Sequence, residues 1–218
     1  EACEYDRSFL NLTPASAIIN NIEADHMDYF RDLDDVVDAF AGLARRVHPQ
    51  GCLLVNGDNI LATRAGAAAL CPVYTFGEDE RCQWRFLNPR RRPGLTTFDI
   101  LHNGRRLCEA ALGLPGHHNV RNALAAFALS HHLGVPQETA LQAIATYRGA
   151  CRRLQQIALS SGVRVMDDYA HHPTEIRATL AAARQEYGAA RLWCVFQPHQ
   201  CSRTRLLFSD FVTAFHDA

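Results

Sequence analysis

Asp167-Asp168-Tyr169-Ala170-His171-His172-Pro173-Thr174-Glu175 is the stretch on which the predicted fold of this chain depends. Residues 163–166, just before it, alternate between apolar and polar side chains, which predicts a short β-strand. From Pro173 the sequence follows a helical pattern as far as about Tyr187. The polar turn therefore joins the carboxyl end of a strand to the amino end of a helix. Parallel α/β sheets bind ligands at such ends, and helix amino termini bind anions.

A second apolar segment, Leu192-Trp193-Cys194-Val195-Phe196, predicts a buried strand. A strand, a helix and another strand predict a right-handed crossover between two parallel strands. The polar residues after each strand, including His199 and Arg203, would then open on the same edge of the sheet. Two ordinary solvated turns are one alternative, and a zinc site built from His171, His172 and His199 is another.

The same order of strand, polar turn and helix occurs near the amino terminus. Ala17-Ile18-Ile19 predicts a strand, and apolar positions at helical spacing within residues 33–47 predict the helix. Between them lie Asp25, His26 and Asp28. Carboxylates and histidine bind divalent cations such as magnesium or manganese, but acidic residues also favour the amino end of a helix. The spacing alone leaves both interpretations open.

Between residues 52 and 147 the predicted elements change character twice. Residues 52–55 predict a strand and residues 59–70 an alanine-rich helix, whereas residues 73–112 consist of short alternating segments with a hairpin signal at Asn103-Gly104. This pattern predicts an antiparallel subdomain appended to the α/β part. Two helices follow, from His117 to about residue 132 and from residue 137 to about residue 147.

Polar side chains cluster where the first of these two helices begins. His118, Asn119 and Asn122 lie in its first turns. An asparagine in such a position either caps the helix or hydrogen-bonds a ligand. Residues 148–153 then form a polar linker, in which Arg152 and Arg153 offer bidentate contacts to phosphate.

The composition restricts the possible functions. A formal net charge of -1, with 48% hydrophobic and 21% charged residues, provides no global field for nucleic acid or an anionic membrane. All 22 basic residues are arginines, so the chain contains no complete Walker A loop and no lysine for Schiff-base chemistry. The eight cysteines contain no C-x-x-C pair and predict reduced thiols. No apolar run reaches the roughly 18 residues that span a bilayer.

Five motifs, taken in order, resemble those of the Mur ligases. They are Asn21-Ile22-Glu23-Ala24-Asp25-His26-Met27-Asp28, Pro115-Gly116-His117-His118-Asn119 with Asn122, residues 149–153, residues 167–175, and Phe196-Gln197-Pro198-His199 with Arg203-Thr204-Arg205. The resemblance covers essentially the whole chain. It implies an α/β fold in which residues 1–149 are part of a central P-loop-type ATPase domain with a small antiparallel subdomain. Residues 150–218 would be the first part of a Rossmann-like carboxy-terminal domain.

The resemblance also implies a reaction. Mur ligases depend on ATP and Mg²⁺ and make peptidoglycan precursors in the bacterial cytoplasm. The motifs look most like those of the member that joins L-alanine to UDP-N-acetylmuramate through an acyl phosphate. No nucleic-acid or membrane partner is implied. The P-loop and a uridine-nucleotide-binding domain are expected upstream of Glu1, so residues 1–218 alone are expected to be inactive.

The resemblance implies residue roles, motif by motif. Glu1 and His26 resemble magnesium ligands; His118, Asn119 and Asn122 match positions near adenine; Arg153 and Asp167 would face phosphate and ribose; and His171, His172, His199 and Arg203 would face the muramoyl and alanine side. Gln200 stands where the family often has an arginine expected to meet the amino acid's carboxylate. Two alternatives stay open: the related ligase that joins a recycled tripeptide to UDP-N-acetylmuramate, and a non-catalytic nucleotide-binding module on the same fold.

Overall fold

The computed structural model describes residues 2–218 as a six-stranded sheet and a two-stranded sheet with helices packed around them. The strands are β1 (Ser16–Ile19), β2 (Cys52–Asn56), β3 (Val73–Gly77), β4 (Trp84–Arg92), β5 (Leu95–His102), β6 (Arg105–Leu112), β7 (Gln155–Ser160) and β8 (Val163–Asp167). The helices are α1 (Leu33–Arg46), α2 (Ile60–Gly66), α3 (His117–His132), α4 (Gln137–Thr146), α5 (Pro173–Tyr187), α6 (Cys201–Leu206) and α7 (Phe208–Thr213). None of the helices within residues 2–218 has the length and apolar character needed to cross a lipid bilayer.

Strand β2 is buried on both faces and lies at the centre of the parallel part of the larger sheet. All five of its residues are buried, and it runs parallel to β1 on one side and to β3 on the other. Side chains alternate across a strand, so Leu54 packs into the cluster under α3, whereas Leu53 and Val55 pack against α1 and α2. Each fully buried leucine contributes roughly 2 kcal/mol through the hydrophobic effect. Helices on both faces of the sheet therefore follow from this apolar strand.

The predicted mixed α/β architecture is confirmed. The strands predicted at residues 17–19 and 52–55 are β1 and β2, and the helices predicted from His117 and from Pro173 are α3 and α5. The predicted hairpin joins β5 to β6, and Asn103 and Gly104 both have positive φ, 49° and 76°. This is the backbone twist that a two-residue Asn-Gly turn supplies.

The strand predicted at residues 73–76 does not belong to the antiparallel part. β3 pairs in parallel with both of its neighbours, and its link to β4 consists of the pairs Phe76 with Trp84 and Gly77 with Arg85. β4, β5 and β6 then form an antiparallel meander. Because β3 and β4 share this short ladder, the antiparallel strands extend the parallel sheet instead of forming a separate layer.

The prediction of a strand at residues 192–196 is wrong. The prediction of a right-handed crossover between two parallel strands, which depended on it, is also wrong. β8 pairs antiparallel with β7, and within residues 2–218 no strand lies beside residues 192–196 to complete a hydrogen-bond ladder. Leu192 and Phe196 pack against the small core formed by α5 and α7. Trp193 and Val195 face outward, 75% and 98% exposed. Only one side of this apolar segment therefore packs against the rest of the chain.

Trp84 lies in the larger core against a group of histidines. Its indole Nε1 donates a hydrogen bond to His132 Nε2 at 3.2 Å, and its ring stacks on His102 at 4.1 Å. Tyr74 stacks on the ring of His132. Burial lowers the pKa of both His102 and His132, and the charge of the adjacent His131 lowers them further. A neutral imidazole is required at His132, because Nε2 must accept the proton of Trp84.

We predict that the free energy of unfolding falls as the pH is lowered from about 7 to about 5. The pKa values of His102 and His132 lie below the ordinary value of 6.5, so their contribution is complete above that pH and is lost as the pH falls through the folded values. His132→Gln should remove part of this loss, since His102 and His118, whose pKa values burial also lowers, share it. Urea titrations at each pH measure the effect, with the exposed His216→Gln as the control. An unchanged pH dependence in His132→Gln would contradict the assignment.

Candidate active site

The carboxyl ends of β1, β2 and β3 meet at one edge of the larger sheet, as parallel strands require. Residues 20–28, 57–59 and 78–82 follow these strands and line the edge. Hydrogen bonds join this edge to the first turn of α3, to the start of α5 and to α6. The polar segments from both sheets therefore come together here.

His26 stands at the centre of a small group of candidate cation ligands. Its Nε2 lies 3.5 Å from Glu4 Oε1 and 3.7 Å from Asp25 Oδ2, and one ligand atom from each of the three residues lies within 4.8 Å of the others. The Nδ1 of His26 is buried and has no hydrogen-bond partner among residues 2–218. Two carboxylates and an imidazole suit Mg²⁺ or Mn²⁺, so the residues present fit a divalent cation. Glu1, the other predicted ligand, lies outside the described residues.

The alternative role of Asp25 and Asp28 at the start of a helix is wrong. α1 begins only at Leu33, and its cap is Asp32, whose side chain accepts a hydrogen bond from an amide of the first turn at 2.8 Å. His26 instead has a left-handed backbone with φ of 56°. Residues other than glycine rarely adopt this conformation, although histidine does so more often than most. The segment is therefore a turn at His26 and not the first turn of a helix.

Two alternate residues of the same segment bind the second part of the chain. Glu23 Oε2 accepts a hydrogen bond from Thr174 Oγ1 at 2.6 Å, and Asp25 Oδ1 accepts one from Arg203 Nε at 2.7 Å. Burial raises the pKa of Asp25, but the hydrogen bonds from Arg203 and from the backbone amide of His26 outweigh it, so this pKa lies below its usual value. Arg203, predicted to face substrate, is 6% exposed and bound to Asp25 in this structure.

A second polar group at this edge was not predicted from the sequence. The carboxylate of Asp58 accepts hydrogen bonds from the backbone amides of Glu78 and Asp79, both at 2.9 Å. Glu78 Oε1 in turn lies 2.7 Å from His117 Nε2 and accepts a hydrogen bond from Arg121 at 3.0 Å. Burial raises the pKa of Glu78, but His117 and Arg121 outweigh it and lower this pKa. Acidic residues directly after two adjacent parallel strands are the sequence signal that could have indicated this group.

The residues predicted to face adenine differ in how far they are buried. His118 and Asn119 are half-buried at the start of α3, and Asn119 Nδ2 donates to the carbonyl of Pro115 at 2.7 Å. Asn119 thus fixes the turn that leads into the helix. Burial lowers the pKa of His118, although the nearby Asp168 carboxylate opposes this shift. Asn122 is exposed one turn further along α3.

Glu175 organises the turn between β8 and α5. Its Oε2 accepts a hydrogen bond from the backbone amide of His171 at 2.9 Å, and its Oε1 lies 3.6 Å from Arg153. His172 caps α5, since its Nδ1 accepts a hydrogen bond from the Thr174 amide at 3.2 Å. The turn therefore brings one arginine and two histidines to the edge near the segment after β1.

Asp167 and His199 lie apart from these contacts. Asp167 is 3.5 Å from Arg152, and both side chains are partly exposed. His199 is exposed in the irregular segment before α6. Within residues 2–218, His171, His172 and His199 do not form a group that could hold a metal, so the zinc alternative is wrong for the described part of the chain.

A cavity of about 490 Å³ lies between the segment after β1 and α6. It is lined by residues 24–28 on one side and by Gln200, Ser202, Arg203, Arg205, Leu206 and Leu207 on the other. Gln200 Oε1 is buried there and has no hydrogen-bond partner among residues 2–218. The volume lies within the range of small-ligand sites, and the lining combines charged, polar and apolar side chains.

We predict that Gly116→Ala destabilises the chain more than Gly134→Ala does. Both glycines have positive φ, 98° and 77°, but Gly116 combines it with ψ of 134°, a region nearly confined to glycine, so alanine strains the backbone by roughly 1–3 kcal/mol there and by roughly 1 kcal/mol at Gly134. At Gly116 the new Cβ would also lie 3.0 Å from Ala182 Cβ in α5 and 2.6 Å from His118, whereas nothing lies within 4 Å at Gly134. The additional loss should be roughly 1–3 kcal/mol, measured by urea unfolding. Equal losses would show that α3 and α5 do not pack closely at this point.

Comparison with known sequences identifies the family of this chain. Residues 3–130 match the Mur ligase middle domain, and residues 152–218 match the Mur ligase glutamate ligase domain. The UDP-N-acetylmuramate–L-alanine ligase of Desulfitobacterium hafniense is 42% identical over 218 residues, which are 100% of this chain and 48% of that protein. The ligase of the same name from Clostridium novyi is 40% identical and is covered over 47% of its length. The chain therefore spans about half the length of the curated relatives it matches.

Solved structures show the same relationship. The UDP-N-acetylmuramate–alanine ligase of Thermotoga maritima has a TM-score of 0.80 and 27% identity, over 97% of this chain and 46% of that chain. The murein peptide ligase of Psychrobacter arcticus has a TM-score of 0.63 and 28% identity, over 88% of this chain and 39% of that chain. Since the middle-domain match alone covers more than half of the residues, the chain belongs to the Mur ligase family.

Proposed function

We propose that this chain is part of an ATP-dependent ligase that joins L-alanine to UDP-N-acetylmuramate in the cytoplasmic synthesis of peptidoglycan precursors. The observation that carries the proposal is the 42% identity, over the whole chain, to the ligase of that name from Desulfitobacterium hafniense. The TM-scores support the same choice, since the value is 0.80 for the alanine ligase of Thermotoga maritima and 0.63 for the murein peptide ligase.

The proposed chemistry converts a carboxylate into an acyl donor. The muramoyl carboxylate attacks the γ-phosphate of ATP, giving an acyl phosphate and ADP. The amine of L-alanine then attacks the acyl carbon, forming the amide and releasing phosphate. A protein accelerates such a sequence by holding anionic partners together and by placing cationic groups and aligned donors around them.

Glu4, Asp25 and His26 are the residues that would hold Mg²⁺, which supplies charge neutralisation to the phosphates when it is bound. Both carboxylates lie near His26 Nε2, at 3.5 Å and 3.7 Å. Magnesium prefers oxygen ligands, so the chief role of His26 would be to position the cation. We keep Glu1 as a proposed additional ligand.

The start of α3 and the turn before α5 would bind the nucleotide. Burial favours the neutral form of His118, which can then make a hydrogen bond to a base without a charge. Arg153 has Glu175 as its partner at 3.6 Å, and both side chains are partly exposed. Such a pair is weak in water, so Arg153 can exchange Glu175 for phosphate. We propose that adenine and ribose are bound near Asn119, Asn122 and Asp167. The muramoyl and alanine substrates would be bound near His171, His172 and His199.

We also propose that residues 1–149 and 150–218 are separate domains with a hinge near Gly149. The two sheets share no ladder, which supports the division. Gly149 has φ of 90°, a conformation that glycine adopts without strain and that suits a position where the backbone changes direction. Closure about this hinge would complete the site from both parts.

The direct assay uses the longest natural polypeptide that contains these residues, because residues 1–218 have no lysine for a Walker A loop. With ATP and UDP-N-acetylmuramate, L-alanine should be ligated with release of phosphate, and mass spectrometry should show the amide product. The recycled tripeptide should react at least roughly 10-fold more slowly. Preference for the tripeptide would identify the recycling ligase, and nucleotide binding without product would identify a binding module.

His26→Asn should lower turnover in the same polypeptide by roughly 10-fold to 1000-fold, the range for losing one electrostatic contact in a transition state. Asparagine tolerates positive φ, so the melting temperature should change little. Excess Mn²⁺ should restore part of the activity. Steady-state kinetics and thermal melting are measured on the same samples. Wild-type turnover, or a loss of folding large enough to account for the lost turnover, would refute the proposed role of His26.

A further inference from the structure

Asp25 divides its two carboxylate oxygens between the two parts of the chain. Oδ1 accepts hydrogen bonds from Arg203 Nε at 2.7 Å and from the backbone amide of His26 at 2.8 Å. Oδ2 faces the candidate cation group, 3.7 Å from His26 Nε2, and Glu4 Oε1 lies 3.5 Å from the same nitrogen. One carboxylate is therefore shared by a cationic side chain of the second part and the ligand group of the first part.

Arg203 depends on this carboxylate. Its side chain is 5% exposed, and a guanidinium removed from water is stabilised only when a negative charge lies against it. Arg203 belongs to α6, whereas Glu4, Asp25 and His26 all belong to the segments around β1. The contact between Thr174 and Glu23 is made by a neutral hydroxyl, so it holds the two parts together whatever the charge on Asp25.

We propose that Asp25 couples cation binding to the release of Arg203, because the cation and the guanidinium compete for one carboxylate. The inference rests on the proposed cation site at Glu4, Asp25 and His26. A divalent cation at Oδ2 reduces the negative charge that holds Arg203 at Oδ1. Arg203 then turns toward the adjoining cavity of about 490 Å³, where it carries its charge to an anionic ligand.

Linkage fixes the sign and the size of the effect. If a bound cation weakens the Asp25–Arg203 contact, removal of Arg203 must strengthen cation binding by the same factor. Couplings between sites are typically about 5-fold to 150-fold. Arg205 lines the same cavity and is exposed, and Asp25 makes no recorded hydrogen bond or ion pair with it. Arg205→Met is therefore the matched control for Arg203→Met.

The experiment measures Mn²⁺ binding by electron paramagnetic resonance in the longest natural polypeptide that contains these residues. Glu4→Gln, which leaves Asp25 and Arg203 in place, should weaken binding. Arg203→Met should tighten binding by about 5-fold or more, and Arg205→Met by less than about 2-fold. If wild type binds no Mn²⁺ or Glu4→Gln changes nothing, the cation site itself fails. If Glu4→Gln weakens binding but Arg203→Met matches Arg205→Met or weakens it, the site stands and the coupling is overturned.

A second measurement on the wild-type chain is independent of the folding of Arg203→Met. Phenylglyoxal modifies accessible guanidinium groups, and mass spectrometry reports the extent at each arginine. Saturating Mn²⁺ should raise the modification rate of Arg203 by roughly 5-fold or more and leave that of Arg205 unchanged. A constant or reduced rate at Arg203 under conditions where Mn²⁺ is bound would overturn the coupling.

Discussion

The burial of β2 on both faces is the constraint on which the rest of the structure depends. An apolar strand between β1 and β3 leaves no room for polar side chains along its length, so polar groups are displaced to its carboxyl end. There the side chain of Asn56, although buried, accepts a hydrogen bond from the Asp58 amide at 3.0 Å. Because β1, β2 and β3 are parallel, the displaced groups of all three strands collect on one edge. The polar site at this edge therefore follows from the burial of β2 between helices on both faces of the sheet.

The two parts of the chain keep separate cores and meet through a few specific contacts. The small core around Ile176, Leu180 and Phe211 is distinct from the two clusters that cover the larger sheet. Across the junction, Glu186 accepts a hydrogen bond from the Gly94 amide at 3.0 Å, in addition to the contacts of Glu23 and Asp25. The exposed contacts of Glu23 and Glu186 contribute at most about 1 kcal/mol each, whereas the buried pair of Asp25 and Arg203 is harder to break. Because the cores are separate, the proposed closure would change the junction and leave each core intact.

Local patterns in the sequence predicted most elements of the fold, because periodicity and turn residues act over short distances. The helix of α5, with Pro173 in its first turn and the acidic Glu175 in its capping box, was predicted with its observed limits. The strand at residues 192–196 was not, because a strand forms only when a neighbour completes its hydrogen bonds, and a neighbour is not a property of the segment itself. The parallel pairing of β3 escaped prediction for the same reason.

The candidate site shows the same division between local and long-range information. The motif around His26 was visible in the sequence, and so was the turn that holds His172. Glu4, which directly precedes the 3-10 helix Tyr5–Asn11 and lies 3.5 Å from His26, could not be predicted from motif spacing. Glu78 and Arg121 meet only because β3 and α3 pack together, 43 residues apart in the chain. Predicting such pairs requires the order of the strands, which the motifs alone do not give.

The capping of α5 also determines what His172 can do at the edge. Its Nδ1 accepts a hydrogen bond from the Thr174 amide, so in the neutral ring the proton must be on Nε2. That Nε2 is buried and has no partner among residues 2–218. A buried N–H without an acceptor is unfavourable by roughly 1–3 kcal/mol, and an oxygen of a bound anion would relieve it. A requirement of helix formation thus determines which nitrogen of the neutral His172 ring carries the proton.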